Sequence, residues 1–187
     1  HDALPIYWSA YWETARPLLQ GSFPYSEGIY EDVNKVLILQ FEWAPERAAE
    51  DILKEYATGY FGAHTADAVA GVMQRLEEDG ALQTAYGPGG PVFKTGPLGN
   101  APACLAELDR LAATLPPAAR TSWRWRLLWL RAAITAELRL TGGAMNDRLD
   151  GYFEELSVIY HAGHAERPVC PPSRRAWRRL VGDATPR

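Results

Sequence analysis

Apolar residues recur every three or four positions through most of this chain, and that spacing restricts the fold more than any other feature. The pattern marks a series of segments between residues 31 and 160. Representative apolar positions are Val33, Val36, Leu37 and Phe41, then Ile52, Leu53 and Tyr56, then Leu105, Leu108 and Leu115, and finally Leu149, Tyr152 and Phe153. Such spacing is typical of amphipathic α-helices. The sequence therefore predicts a mainly α fold that ends in a helix bundle.

Several helix limits carry their own signals. Gly80 is the predicted end of the helix that follows Thr65, because glycine commonly closes helices. Asn100 and Asn146 are predicted to cap the helices that they precede. Residues 118–140 are predicted to form one helix, and its wide apolar surface indicates burial against more than one neighbour.

A run rich in glycine and proline, residues 84–99, is the predicted internal boundary, because its breaks favour an ordered loop over any regular element. The first residues, HDALPI, resemble the translation of a sequencing adapter, and an ordinary loop is the alternative. The predicted regions are residues 1–6 of non-native or loop origin, helices in 7–83, the loop 84–99, a helical bundle in 100–165 and a basic tail in 166–187.

Composition narrows the range of partners. The net charge is -4 and the isoelectric point is about 5.6, so the chain has no overall basic field for nucleic acid. No run approaches the roughly 20 apolar residues that cross a bilayer, and a membrane partner is not expected. Cys104 and Cys170 are far apart and form no CxxC pair, so a buried free thiol at Cys104 is expected and no cofactor is predicted.

The densest polar cluster lies between Tyr25 and Asp32. Aromatic rings beside a carboxylate are typical of sugar sites, where rings cover apolar sugar faces and the acid accepts hydroxyl hydrogen bonds. Glu27 is the acid that best fits this role. The alternative is that Glu27, Glu31 and Asp32 only stabilise the positive end of a helix dipole. The sequence shows no second carboxylate with which to form a glycosidase pair.

Two further patterns have ordinary structural explanations. His161, His164 and Glu166 include metal-ligand types, but their spacing matches no established zinc motif, and histidine at a helix C-terminus is the simpler explanation. Tryptophans alternate with arginines in residues 123–131, which allows a stacking platform. Their helical spacing favours core tryptophans and exposed arginines instead.

The segment Tyr25–Gly62 resembles a segment of large bacterial glycoside-hydrolase-like proteins. Its pattern is YSEG-[IR]-[YF]-[DE]-D-[IV]-NK followed by W-x-P, EDIL-x-[ED]-YA and FG. The nearest family includes endo-β-N-acetylglucosaminidases that act on complex N-glycans, and the similarity to α-glucuronidases and α-N-acetylglucosaminidases is looser. A weaker likeness covers residues 123–137.

The resemblance implies that residues 7–83 form the last strand and packing helices of a (β/α)₈ catalytic barrel. A barrel needs about 200 residues or more, so most of it would lie upstream. The family pattern places Tyr25, Glu27, Tyr30 and Asn34 near the sugar, whereas the catalytic residues stay unassigned. The chain is thus predicted to be an inactive C-terminal fragment, with a glycan partner and a secreted or periplasmic location. A free-standing helical binding or scaffold module is the alternative.

Overall fold

A computed structural model of the protein describes residues 5–21, 30–87, 90–93 and 99–160. Within these ranges the chain forms helices joined by short turns, plus one two-stranded hairpin, so the predicted mainly α fold is confirmed. The helices are α1 (Pro5–Ala15), a 3₁₀ turn (Arg16–Leu18), α2 (Glu31–Trp43), α3 (Ala49–Phe61), α4 (Ala66–Gln83), α5 (Ala101–Ala112), α6 (Pro117–Arg120), α7 (Trp123–Leu140) and α8 (Asp147–Tyr160). None of these helices is both long enough and apolar enough to span a bilayer.

Helix α3 lies between α2 and α4 and packs against both. It buries one face completely, at Ile52, Leu53, Ala57 and Phe61. This spacing is what the apolar pattern predicts, since positions three or four residues apart share a face. Gly62 ends the helix with a φ of 98°, a conformation that glycine adopts without steric penalty.

Helix α7 carries two buried stripes on different faces. One stripe, which contains Trp125, Leu128 and Ala132, joins the large core formed with α2 to α5. The other contains Leu130 and Ile134, which pack against α8 around a fully buried leucine, Leu149. The predicted burial of this segment against more than one neighbour is therefore confirmed.

The large core includes buried residues from both sides of residues 84–99. Leu37, Phe41 and Leu76 come from the first side, and Cys104 and Leu108 from the second. Cys104 is a buried free thiol, as predicted. Full burial of one such leucine contributes about 1.5–3 kcal/mol, so these shared contacts hold both helical regions together.

A short hairpin lies where the sequence predicted no regular element. Strand β1 (Thr84–Gly87) pairs antiparallel with β2 (Gly90–Phe93), and Thr84 is opposite Phe93. In a two-stranded sheet each strand has one edge without a partner strand. Pro91 has no N–H to donate, and a strand with such an edge can contain proline. The glycine and proline content therefore did not prevent pairing over four residues.

A carboxylate from α4 caps the start of α5. Asp79, only 1% exposed, accepts hydrogen bonds from the backbone N–H groups of Asn100 (2.8 Å) and Ala101 (2.6 Å). The predicted capping role of Asn100 is wrong, because its side chain bonds back to Arg75 O and Glu78 instead. Free N–H groups at a helix start need an acceptor, and a buried acid from another helix supplies it here.

The other predicted helix limits had mixed outcomes. The Oδ1 atom of Asn146 accepts a hydrogen bond from the N–H of Leu149 at 2.9 Å, which confirms the predicted cap. Helix α4 continues past Gly80 to Gln83. The helix predicted for residues 118–140 is interrupted, because Ser122 starts a new helix by accepting a hydrogen bond from the N–H of Trp125 at 3.2 Å.

We expect Asp79→Ala to lower the free energy of unfolding by about 2–3 kcal/mol, because it removes a charged acceptor from one buried and one partly buried N–H group and also removes the carboxylate that pairs with Arg139. Urea unfolding followed by circular dichroism measures this loss. Asp67→Ala is the control, since Asp67 is 78% exposed and forms a surface ion pair with Lys54, so its loss should be much smaller. Equal losses in both variants would contradict the capping role of Asp79.

Candidate functional site

A narrow cleft lies between the start of α2, helices α3 and α4, and the start of α7. Its enclosed volume is about 50 Å³, which is the space of one or two water molecules. The apolar residues that line it are Val33, Met73, Leu76, Leu127 and Leu128, and the polar or aromatic ones are Tyr30, Asp32, Tyr56, Trp123, Arg124 and Arg131. The cleft can therefore hold only a small chemical group of a ligand. The rest of a larger ligand would lie outside, across the opening of the cleft.

Asp32 connects three helices at this cleft. Its carboxylate receives two hydrogen bonds from Arg124 on α7, from Nε at 2.7 Å and from Nη2 at 3.0 Å. The hydroxyl of Tyr56 on α3 donates a third at 2.7 Å. A bidentate arginine–carboxylate pair fixes both groups in orientation as well as in distance. Asp32 therefore positions Arg124 relative to α3.

Tyr56 is held as a neutral phenol. Burial raises its pKa well above the ordinary value of tyrosine, and the hydrogen bond to Asp32 raises it further. Both effects oppose ionisation, because the phenolate would lose solvation and would face a carboxylate. The ring is 6% exposed, so this hydroxyl serves as a donor within the fold.

The guanidinium of Arg124 stacks on two aromatic rings at the surface. Its Cζ atom lies 4.0 Å from the centroid of the Tyr60 ring and 4.1 Å from that of Trp123. The two rings are 43% and 44% exposed, respectively. Cation–π contacts of this kind order an arginine between its neighbours. We call Tyr60, Arg124 and Trp123 the aromatic platform.

Tyr30 and Arg131 form a second contact in the same cleft. The Cζ atom of Arg131 lies 5.4 Å from the centroid of the Tyr30 ring. Arg131 is 8% exposed, although the alternating pattern predicted exposed arginines here. That prediction is wrong for Arg131, because α7 is buried on two faces and this side chain lies between them. Trp125 is buried as predicted, whereas Trp123 is not.

The sequence-predicted sugar-contacting residues have different outcomes. Tyr25 and Glu27 lie outside the described residues, as does the predicted strand end that contains them. Tyr30 lines the cleft. Asn34 is 5% exposed on the buried face of α2, and its Oδ1 atom has no hydrogen-bond partner in the described part of the chain. It is not among the residues that line the cleft.

The possible metal ligands lie outside the described residues. His161, His164 and Glu166 lie beyond residue 160, outside the described ranges, together with the basic tail. Across residues 5–21, 30–87, 90–93 and 99–160, no group of three metal-ligating side chains comes together. The described cleft is thus characterised by aromatic rings, one ion pair and apolar walls.

Sequence reasoning missed the aromatic platform. Tyr60 belonged to an apolar helical pattern, and Trp123 was assigned to the core with the other tryptophans. Asp32 was interpreted as an acid at a helix start, and it does lie in the first turn of α2. Its partner Arg124 is 92 residues away, so no local pattern could connect them. The only local sign of the platform in the sequence was an arginine directly after a tryptophan, and this pair does not reveal that the tryptophan is exposed.

Comparisons with known proteins identify no relative of this chain. No protein-family model matches it, and neither a curated protein nor a solved structure matches it. The function must therefore be argued from the residues of the cleft and the platform.

We expect the free energy of unfolding to fall as the pH rises above about 10, the pKa of an unfolded tyrosine. Folded Tyr56 keeps its proton there while the unfolded chain loses it, so this group contributes a loss of about 1.4 kcal/mol per pH unit. Tyr56→Phe should remove that part of the pH dependence. Urea unfolding at pH 8, 10 and 11 measures it, with Tyr11→Phe, an exposed tyrosine, as the control. Unchanged pH dependence in Tyr56→Phe would contradict this explanation.

Proposed function

We propose that this chain is the C-terminal helical part of a carbohydrate-active glycoside hydrolase and contributes a sugar-binding surface. The observation that carries the proposal is the aromatic platform, where Tyr60, Arg124 and Trp123 are stacked and partly exposed beside the cleft. The described residues offer binding groups, and the proposal assigns catalysis to other parts of the full-length protein.

The chemistry of the platform suits a sugar. Aromatic rings cover the apolar faces of sugar rings, while nearby polar groups bond to hydroxyls. Asp32 accepts one hydrogen bond from Nε and one from Nη2 of Arg124. A guanidinium carries five N–H donors, so Arg124 has donors beyond these two for the accepting oxygens of a ligand. Because Arg124 is already fixed by Asp32 and both rings, binding would cost little side-chain entropy.

The family resemblance supports the same location. The stronger likeness covers residues 25–62, which contribute Tyr30 and Tyr60, and the weaker one covers residues 123–137, which contribute Arg124. These two segments are far apart in sequence but meet at the cleft and the platform. If both segments contribute to one binding surface, this would explain why both resemble the same family.

A catalytic pair is not part of the proposal for this chain. Glycoside hydrolysis commonly uses two carboxyl groups about 5–9.5 Å apart. Asp32 is the only carboxylate among the described residues that line the cleft, and it is bound by Arg124 and Tyr56. We propose that the paired acids belong to a (β/α)₈ barrel that residues 7–83 complete, and that the chain alone is inactive. A glycan substrate and a secreted or periplasmic location belong to the same proposal.

Glycan-array binding by the purified chain tests this function. We expect binding to N-glycans or to another oligosaccharide, and Trp123→Ala should weaken it about tenfold, which corresponds to about 1.4 kcal/mol. Trp43→Ala is the matched control, because Trp43 is an 88% exposed tryptophan of α2 that lines neither the cleft nor the platform. Absence of glycan binding by the unchanged chain, or equal losses in both variants, would overturn the proposal.

A free-standing helical scaffold is the second candidate. The observation that favours it is the continuous core, in which the family-like residues Leu37, Ile52 and Phe61 are fully or almost fully buried among helices of this chain. A helical region with its own core can fold independently. This candidate requires no sugar site.

Size-exclusion chromatography with light scattering, followed by thermal unfolding, separates the two candidates. A scaffold should be monodisperse, should unfold cooperatively and should bind no glycan. A piece of a barrel should expose apolar surface and aggregate. A monodisperse chain that binds glycan would retain the sugar-binding surface, and it would reject both the scaffold and the proposal that residues 7–83 complete a barrel.

A further inference from the structure

We propose that the bound sugar is an oligosaccharide, whose chain runs from the aromatic platform into a groove between α2 and α3. The inference rests on the proposed function and adds the length of the ligand and its path. It depends on three observations: the groove is continuous with the platform, its floor includes an exposed helical glycine, and its polar side chains are already held in place.

The groove follows one side of α3 for more than two turns. It has a volume of about 280 Å³, close to the lower end of the roughly 300–1,000 Å³ range of ligand pockets. Its lining residues are Val36, Gln40, Ile52, Glu55, Gly59 and Tyr60, together with Tyr56. From Ile52 to Tyr60 the helix rises about 12 Å, so the groove has an elongated shape. An extended chain fits this shape better than a single compact ring.

Two tyrosines make the groove continuous with the platform. Tyr56 lines both the enclosed cleft and the groove. Tyr60 lines the groove, and its ring also stacks on Arg124 of the platform. The centroids of the two tyrosine rings are 4.8 Å apart, with their planes tilted by 57°. The platform and the groove therefore share Tyr60, and a ligand on the platform lies next to one end of the groove.

Gly59 leaves the helix backbone uncovered in the groove. A Cβ atom built at this position meets no atom within 4 Å, so packing does not require glycine here. Its φ also lies outside the left-handed region, so the backbone does not require glycine either. Glycine inside a helix weakens that helix, because it has greater freedom in the unfolded chain. Because Gly59 lines the groove, its lack of a Cβ atom permits a ligand there to approach the backbone closely.

The polar groups of the groove are fixed by one arginine. Arg47 donates through Nη1 to Oε1 of Gln40 and through Nη2 to Glu55, each at 2.6 Å. Gln40 therefore keeps its Nε2 donor for a ligand, and Glu55 keeps accepting capacity. Alternating donors and acceptors beside aromatic rings suit hydroxyl-rich chains. A purely apolar peptide would cover the remaining donor of Gln40 and the remaining acceptors of Glu55 without bonding to them, which is costly.

The test uses Gly59→Gln with ladders of chitin, xylan and cellulose oligosaccharides of one to six units. Glutamine favours helices more than glycine does, so the variant should fold with an equal or higher Tm. It should bind the hexamer of the preferred series about tenfold more weakly, while binding of the monomer changes less than about twofold. Isothermal titration calorimetry measures both affinities.

Gly151→Gln is the matched control, because Gly151 is also helical with open space at its Cβ position, yet it lies in α8 away from the groove. It should bind every oligosaccharide as the unchanged chain does. The proposed path through the groove would be overturned by any of three results. These are affinity that does not grow with the length of the oligosaccharide, Gly59→Gln that binds like the unchanged chain, and an equal loss of affinity for monomer and hexamer. Array binding without binding to any of these ladders would also overturn the groove. Binding of no sugar, either in the ladders or on the glycan array, would instead overturn the proposed function, and with it this inference.

Discussion

Burial of α7 on two faces is the constraint on which the rest of the structure depends. One face completes the large core with α2 to α5, and the other holds α8 through Leu130, Ile134 and Leu149. Because both faces are occupied, the helix can neither rotate nor shift along its axis without exposing apolar area. Its first turn is thereby fixed beside α2 and α3, and this places Trp123 and Arg124 at the cleft. The proposed site is therefore a consequence of core packing.

Electrostatics then refines what packing brings together. Asp32 joins α2 to α7 through Arg124 and to α3 through Tyr56. The ion pair is partly buried, so it is screened less than a surface pair, and its bidentate geometry determines the orientation of the guanidinium. Arg126 on the same helix makes a similar pair with Glu155 on α8, and this pair joins α7 to α8. Arg126 also stacks on Trp129 of its own helix. An arginine–carboxylate pair with a stacked aromatic ring thus joins two helices on one side of α7 and forms part of the candidate site on the other.

The sequence supported some parts of this description better than others. Helix α1 was not predicted, and it includes Pro5 and Ile6, which were expected to be non-native or loop residues. Most helices after residue 30 and the core that they form were predictable, because a face repeated every 3.6 residues needs only local information. The Asn146 cap was predictable for the same reason, whereas the Asp79 cap of α5 was not, because it comes from another helix. Of the predicted sugar contacts, Tyr30 lies at the cleft and Asn34 is buried away from it. Tyr60 and Trp123 were missed, since periodicity alone does not tell a core aromatic from one left partly exposed.

By itself, the sequence determined that this protein is helical, which faces of its helices are apolar, and which aromatic residues and acids are candidates for binding. Only the tertiary structure decided that Asp32 meets Arg124, that Arg131 is buried, and that Gly59 opens onto a groove beside Tyr60. The reason is physical: secondary structure follows from neighbours within a few positions, whereas a site is formed by side chains that packing brings together from distant segments.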